Sequence, residues 1–408
     1  MVKKLNTGYL IHKFANLIMQ VFHTESKIII TCNKRLSPYL QHEVEELGFK
    51  PVRVFPTGIE LLGTVNDTIT LNLNLRCASQ ILYLIKSFTA ADPQELYKNL
   101  VEIEWETLID FTGYFSVTSN VNNEHILTPL FANVKVKDAI VDRIKDKKGI
   151  RPNSGPEQNK TVIHLYWQDD KAEIFLDTSG ETLAKHSYRK IPGKAPMLEA
   201  LAASTIMATN WDKNSTFINP MCGSGTLAIE AALLATDKSP GFFRMNYGFM
   251  HILGYEEEVF FTERRKLKDK GRKALNFKII ATDLSPDAVD IAQKNAKTAG
   301  VEHLIDFSVC DFADTVVPEE PGVIMFNPEY GERLGVHSKL EATYKRMGDF
   351  MKQHCRGYRG YIFTGNPDLA KKIGLRADRR IEFYNGKLDC RLLEYELYEG
   401  SKREPKEE

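Results

Sequence analysis

The stretch Phe217-Ile-Asn-Pro-Met-Cys-Gly-Ser-Gly-Thr-Leu-Ala-Ile-Glu230 decides the fold. A short apolar strand, Phe217–Asn219, runs into a Gly-x-Gly turn, and the turn opens a helix over Thr226–Ala235. Glycine lets the backbone adopt turn angles that a Cβ would block and approach a ligand closely. The helix start then offers unpaired N–H groups to an anionic or polar group. The candidate ligand-holding residues are Asn219, Pro220, Cys222, Gly223, Gly225 and Thr226. Alone the pattern is weak, because the third glycine of the dinucleotide fingerprint is missing. A tight turn with no ligand would show the same glycines.

Strands and helices alternate on the C-terminal side of this turn. Lys278–Asp283, Ile305–Val309, Gly322–Phe326 and Tyr361–Gly365 read as strands, and Pro286–Ala299 as a helix. This rhythm predicts an α/β domain, a parallel sheet with helices on both faces. Arg380–Tyr384, then Asn385-Gly386, then Leu392–Leu397 signals a closing hairpin. Asp283 ends the second strand, where a carboxylate can accept both hydroxyls of a ribose, with Leu284 beside it. Asp311 follows the third strand, placed to take an adenine amino group while Phe312 packs near the ring. A Gly-x-Gly turn followed by these two acids fits S-adenosylmethionine, its carboxylate at the helix start. About sixty residues separate Gly223 from Asp283, against roughly twenty in a bare βαβ unit. The excess, Asp237–Asn276, is an insertion. Its basic run Arg264–Lys273 is either a solvated helix face or an RNA contact.

The fourth strand ends in Met325-Phe326-Asn327-Pro328-Glu329-Tyr330. An exocyclic amine on a base is a poor nucleophile, because its lone pair is delocalised into the ring. The Asn327 side-chain oxygen and the Pro328 carbonyl can accept its two hydrogens. The nitrogen then becomes more tetrahedral, and the acceptors stabilise the charge that grows on it. Tyr330 can stack on the base, which must leave its own stack to enter. Asn327, Pro328 and Tyr330 are therefore the candidate catalytic residues. This chemistry serves guanine N2 and adenine N6 alike.

The N-terminal part reads as two small α+β units. In the first, Lys27–Asn33 is a strand and Ser37–Leu47 a helix that stops at Gly48. Val52–Phe55 and Gly58–Val65 are short alternating segments, and Ile69–Phe88 a long helix-like run with Leu71, Leu75, Ile81, Leu82 and Ile85 as its stripe. In the second, a helix begins at Asp92, Tyr114–Asn120 is a strand, and Thr161–Trp167 forms a hairpin with Lys171–Asp177. Between them Val134–Lys148 is a helix with a basic face, an RNA surface or a solvated one. Globally Lys+Arg and Asp+Glu are 54 each in 408 residues, so any nucleic-acid surface is a local patch. Six scattered cysteines form no CxxC pair and no metal spacing. They suggest reduced thiols in a cytoplasmic protein, with no metal expected. No apolar run approaches the roughly 18 to 20 residues of a membrane span. Residues 1–26 read as an extension and 401–408 as a solvated tail.

Three segments together carry a resemblance: Asn219-Pro-Met-Cys-Gly-Ser-Gly-Thr226, Asn327-Pro-Glu-Tyr-Gly-Glu-Arg-Leu334 and Gly180-Glu-Thr-Leu-Ala-Lys-His-Ser-Tyr-Arg189. They resemble the THUMP-domain class I RNA guanine-N2 methyltransferases, in the branch that modifies 23S ribosomal RNA in bacteria. The resemblance implies a ferredoxin-like domain at 27–88, a THUMP RNA-binding domain at 89–178, a linker at 179–194 and a Rossmann-like class I methyltransferase domain at 195–400. It implies 23S rRNA or a large-subunit precursor as partner, with Arg143, Lys145, Lys147, Lys185 and Arg189 as RNA contacts. Arg189 would either meet a phosphate or pin the linker. Two positions depart from the family pattern. Glu329 stands where the family usually has a second proline, and could meet a guanine N1–H or N2–H. Asn219 stands where the family has Asp. Some relatives carry a second methyltransferase domain, for which this chain is too short.

Three functions compete. One is guanine-N2 methylation of 23S rRNA. A second is methylation of tRNA guanine or of an adenine N6. The third, a non-catalytic RNA-binding factor, predicts loss of Asn327 or of the glycine turn, and both are intact.

Overall fold

The computed structural model describes residues 21–126, 128–193, 196–330 and 337–398. The tail at 401–408, most of the 1–26 extension and the Gly331–Leu334 end of the Asn327 motif lie outside the described residues. The chain forms two compact units. One gathers the residues up to Cys32, Leu40–Ala184 and Arg244–Asp269; the other gathers Asn33–Tyr39, Lys185–Phe243 and the chain from Lys270.

The first unit is built on one eight-stranded sheet. Its strands are β1 (Ser26–Cys32), β2 (Arg53–Phe55), β3 (Gly58–Gly63), β4 (Ala78–Thr89), β5 (Tyr114–Asn122), β6 (Asn153–Ser154), β7 (Thr161–Gln168) and β8 (Lys171–Asp177), in the order β2-β3-β1-β4-β8-β7-β5-β6. β4 pairs with β1 on one side and β8 on the other, so the two small α+β regions share a continuous sheet. The β7–β8 hairpin forms as expected, around Asp169-Asp170.

The long helix expected at Ile69–Phe88 does not exist. Val65–Asn74 is a helix, started by a capping box between Thr64 and Asp67, and Ala78–Thr89 is β4. The break between them is held from a distance. The buried Glu43 carboxylate accepts the backbone N–H groups of Arg76 and Cys77, both at 2.9 Å. Part of the expected insertion also belongs to this unit. Phe249 N–H donates to the Thr178 carbonyl at 2.9 Å, and Gly248 lies so close to Asp177 that a Cβ would sit 2.1 Å from its carbonyl oxygen. In the helix Glu257–Lys270, Arg265 pairs with Glu258 and Lys266 with Glu263, as a solvated face does.

The second unit carries a seven-stranded sheet of β9 (Thr216–Pro220), β10 (Ile279–Asp283), β11 (Ile305–Val309), β12 (Gly322–Phe326), β13 (Arg359–Thr364), β14 (Arg379–Asn385) and β15 (Leu388–Glu396). The order is β11-β10-β9-β12-β13-β15-β14. The first five pair in parallel, and β15 runs antiparallel to both β13 and β14. This is the mixed sheet of a class I methyltransferase domain. The closing hairpin is shifted by one residue from its sequence signal. Asn385 pairs with Leu388, so Gly386-Lys387 makes the turn, with Gly386 at φ +60°. The helices include α1 (Thr226–Ala235) after β9, α2 (Pro286–Thr298) after β10 and α3 (His337–His354) before β13. Every residue of α1 is buried, which explains its lack of a polar face. No helix among the described residues is long and apolar enough to cross a membrane, and all six cysteines are free.

Candidate active site

Sheet order brings the sequence candidates together. β11, β10, β9 and β12 are consecutive and parallel, so Asp311, Asp283, the glycine turn and Asn327 all follow the C-terminal ends of neighbouring strands. The chain leaves β9 for β10 on one side and reaches β12 on the other. That is the switch point where open α/β sheets hold ligands.

The turn is built for close approach. Gly223 and Gly225 have φ of +55° and +80°, and no atom lies within 4 Å of where a Gly223 Cβ would stand. Gly225 begins α1 without any side-chain cap, leaving the first N–H groups to a ligand. Asp283 Oδ2 accepts the Gly223 N–H at 2.9 Å, and its Oδ1 accepts the Ser285 N–H at 3.0 Å. The acid thus shapes the turn, and a carboxylate retains further lone pairs for ribose hydroxyls. The buried Asn219 donates from Nδ2 to the Met325 carbonyl at 2.9 Å, tying β9 to β12 just before Asn327. Cys222 is buried, and burial pushes its thiol well above the usual range. Leu284 is 71% exposed.

Asp311 and Phe312 have partners of their own within the protein. Its Oδ1 accepts the Ala313 N–H at 2.9 Å and the Arg346 guanidinium at 2.8 Å. Phe312 is a core residue, edge-on to Phe326 and Phe350, and Arg346 lies over its ring at 4.9 Å. Phe312 thus packs into the core of this domain beside Asp311. Arg346 stands on α3, a helix the sequence reading did not identify, so nothing there signalled this residue.

The Asn327 segment is clamped on three sides. Tyr344 donates its hydroxyl to the Glu329 carbonyl at 3.3 Å, Asn385 donates to the Tyr330 hydroxyl at 2.7 Å, and the Tyr330 ring meets Phe363 edge-on at 6.0 Å. Burial pushes the Tyr330 phenol above its usual range, so it stays neutral. Pro328 is buried and Glu329 exposed. Asn327 Oδ1 is itself buried yet has no hydrogen-bond partner among the described residues. An orphaned buried acceptor is costly, and it stands where a substrate N–H is expected.

Two RNA-contact candidates have partners within the protein. Arg143 is turned onto Glu106, with Nε and Nη2 donating to its two carboxylate oxygens at 3.1 and 2.9 Å. Arg189 donates to Thr226 Oγ1 at 3.1 Å and lies 3.3 Å from Glu199, with 12% of its side chain exposed. It pins the linker to the start of α1. Beside it, His186 and Glu230 form a fully buried pair at 2.8 Å. Lys145, Lys147 and Lys185 are exposed, Lys147 beside Asp146 at 3.0 Å. Among the described residues no group of three His, Cys, Asp or Glu could hold a metal ion.

A family model described as "RMKL-like, methyltransferase domain" matches residues 186–394. This chain belongs to that family. An RlmL ferredoxin-like domain model matches 27–82 and a THUMP domain model 90–177. The chain is 35% identical to the ribosomal RNA large subunit methyltransferase K/L of Syntrophotalea carbinolica, over 91% of this chain and 54% of that protein. It is also 35% identical to the protein of that name from Psychromonas ingrahamii, over 89% and 49%. The chain thus spans about half the length of the curated relatives it matches. Among solved structures, a methyltransferase complexed with SAH superposes at TM-score 0.83 with 26% identity, covering 92% of this chain and 99% of the other. A methylase from Clostridium difficile 630 does so at 0.83 with 28% identity, over 93% and 100%. As a class I methyltransferase domain, this one takes S-adenosylmethionine as its cofactor. The turn Asn219–Gly225 with the start of α1 would hold the amino-acid end, and Asp283 the ribose. When bound, that cofactor supplies an electrophilic methyl group.

Proposed function

We propose that the chain methylates the exocyclic N2 amine of a guanine in 23S ribosomal RNA. The observation that carries this reading is the orphaned, buried Oδ1 of Asn327 at the end of β12. It is an acceptor with no partner among the described residues, one strand away from the glycine turn. Asn327 and the Pro328 carbonyl hold the amine, Tyr330 stacks on the base, and the lone pair faces the methyl donor. The ribosomal substrate is supported by the K/L relatives and the THUMP region, and the exposed Glu329 suits a guanine edge.

Adenine N6 is the second reading. A protein from Listeria monocytogenes named as an N6-adenine-specific DNA methylase superposes at TM-score 0.82 with 27% identity, covering 92% of this chain and 97% of the other. The test is to incubate the protein with labelled S-adenosylmethionine and unmodified 23S rRNA, with tRNA in parallel, then digest and identify the labelled nucleoside. N2-methylguanosine from the rRNA is expected. Label on adenosine, or on tRNA alone, would replace the reading. Asn327→Ala is expected to slow transfer by about 10²–10³-fold with RNA binding retained. Full activity in that variant would overturn the mechanism.

A further inference from the structure

Tyr330 can stack on a base only if its ring is held still, and its hydroxyl is held by the closing hairpin. Its hydroxyl accepts a hydrogen bond from Asn385 Nδ2 at 2.7 Å. Its ring fills the space over Gly365, where a Cβ would stand 3.2 Å from Tyr330 Cδ2. Asn385 is the last residue of β14, at the hairpin turn. The β13 register stops at Arg391, so the turn end, Phe383–Asn385 with Leu388–Cys390, runs on as two strands alone, and the grip on Tyr330 is only as firm as the grip on that end.

That second grip comes from the far end of the sequence. Arg35 reaches Asp389 on β15 at 2.7 Å and Glu382 on β14 at 3.0 Å, spanning both strands. Its guanidinium lies over the Tyr384 ring, the neighbour of Asn385, at 4.6 Å. Tyr39 stacks on Phe383 at 5.6 Å with the planes 15° apart. Arg35 also has φ of +72°, the left-handed region that a residue with a Cβ avoids. Such strain persists where the surroundings over-determine the conformation. The segment Asn33–Tyr39 accordingly belongs to the compact unit that carries the methyltransferase sheet.

We infer that Asn385 is a positioning residue for methyl transfer, acting through the Tyr330 hydroxyl, and that Arg35 holds the hairpin that carries it. This rests on the reading of Asn327–Tyr330 as the amine site. Both residues act on the geometry of the base and on nothing in the cofactor turn. Displacing a positioned group by about 1 Å costs on the order of 10²-fold in rate.

The test is a double-mutant cycle on single-turnover methyl transfer to 23S rRNA, with Tyr330→Phe, Asn385→Ala and the pair. Asn385→Ala is expected to lower kcat by about 10- to 100-fold, with RNA KM and S-adenosylmethionine affinity unchanged. The double variant is expected to be no slower than the slower single one, because both remove one hydrogen bond. Arg35→Gly tolerates the positive φ while losing the grip, and is expected to lower kcat with no change in cofactor affinity. Wild-type kcat in Asn385→Ala, or multiplying effects in the pair, overturns the role of Asn385. Wild-type kcat in Arg35→Gly overturns the role of Arg35. Failure of the underlying reading shows separately, as full activity in Asn327→Ala.

Discussion

His164 on β7 is partly buried, with its Nδ1 2.8 Å from the Thr118 hydroxyl and its ring near Phe175. Burial disfavours the charged imidazolium and pushes its pKa from the ordinary 6.5 down to about 4. Between those values the unfolded chain binds a proton that the folded chain refuses. Stability is therefore full above about pH 6.5 and falls as the pH drops towards 4, by at most about 3 kcal/mol from this group. His164→Asn is expected to flatten that part of the profile in urea unfolding at pH 7 and pH 5. Equal slopes in the two proteins would contradict it. Asn327 stands out as a candidate in the sequence because its signal is local: an acceptor amide, a following proline and an aromatic at a strand end. The inward pairing of Arg143 was not legible, for the opposite reason. Its partner, Glu106, lies 37 residues away, and a basic run does not say which of its members faces inward.

The strand–turn–helix of β9 and α1 was read correctly because its signals lie within fourteen residues. Its two glycines are not equivalent, however. A Cβ on Gly225 would lie 2.8 Å from the Ala292 Cβ on α2, whereas Gly223 faces open space. Both hold positive φ. Gly225→Ala is expected to lose about 1–3 kcal/mol from overpacking beyond the backbone cost, and Gly223→Ala about 1–2 kcal/mol from the backbone alone. Thermal melts of both, with cofactor affinity by calorimetry, check the order. A Gly223 variant less stable than the Gly225 variant would refute the packing account. The Ile69–Phe88 run shows where element reading fails. Apolar residues at helical spacing continued across a helix end whose stop, the Glu43 carboxylate, lies about 30 residues upstream.

The largest departure concerns which segments build which unit. Arg244–Asp269 interrupts the methyltransferase domain in sequence yet packs with the eight-stranded sheet, and Asn33–Tyr39 does the reverse. Gly248→Ala is therefore expected to destabilise the unit in which it does not lie by sequence. Its Cβ would meet the Asp177 carbonyl and come within 3.1 Å of the Gly180 nitrogen, a clash of about 1–3 kcal/mol or more. Hydrogen exchange should show lost protection in β7 and β8, with β9–β13 unchanged. Equal loss in both sheets would contradict the assignment.

By itself the sequence determined the class I sheet, the glycine turn followed by its two acids, and the place of Asn327-Pro328 at a strand end. Each is encoded over a few residues, by strand periodicity, by positive-φ glycines or by chemistry at a strand end. Only the tertiary structure decided that the two small N-terminal regions share one sheet, that Arg143 and Arg189 face carboxylates within the protein, and that Arg35 and Asn385 stand behind Tyr330. Those facts depend on pairings between residues tens to hundreds of positions apart. Local pattern carries no record of them, because the partner appears only when the chain has folded.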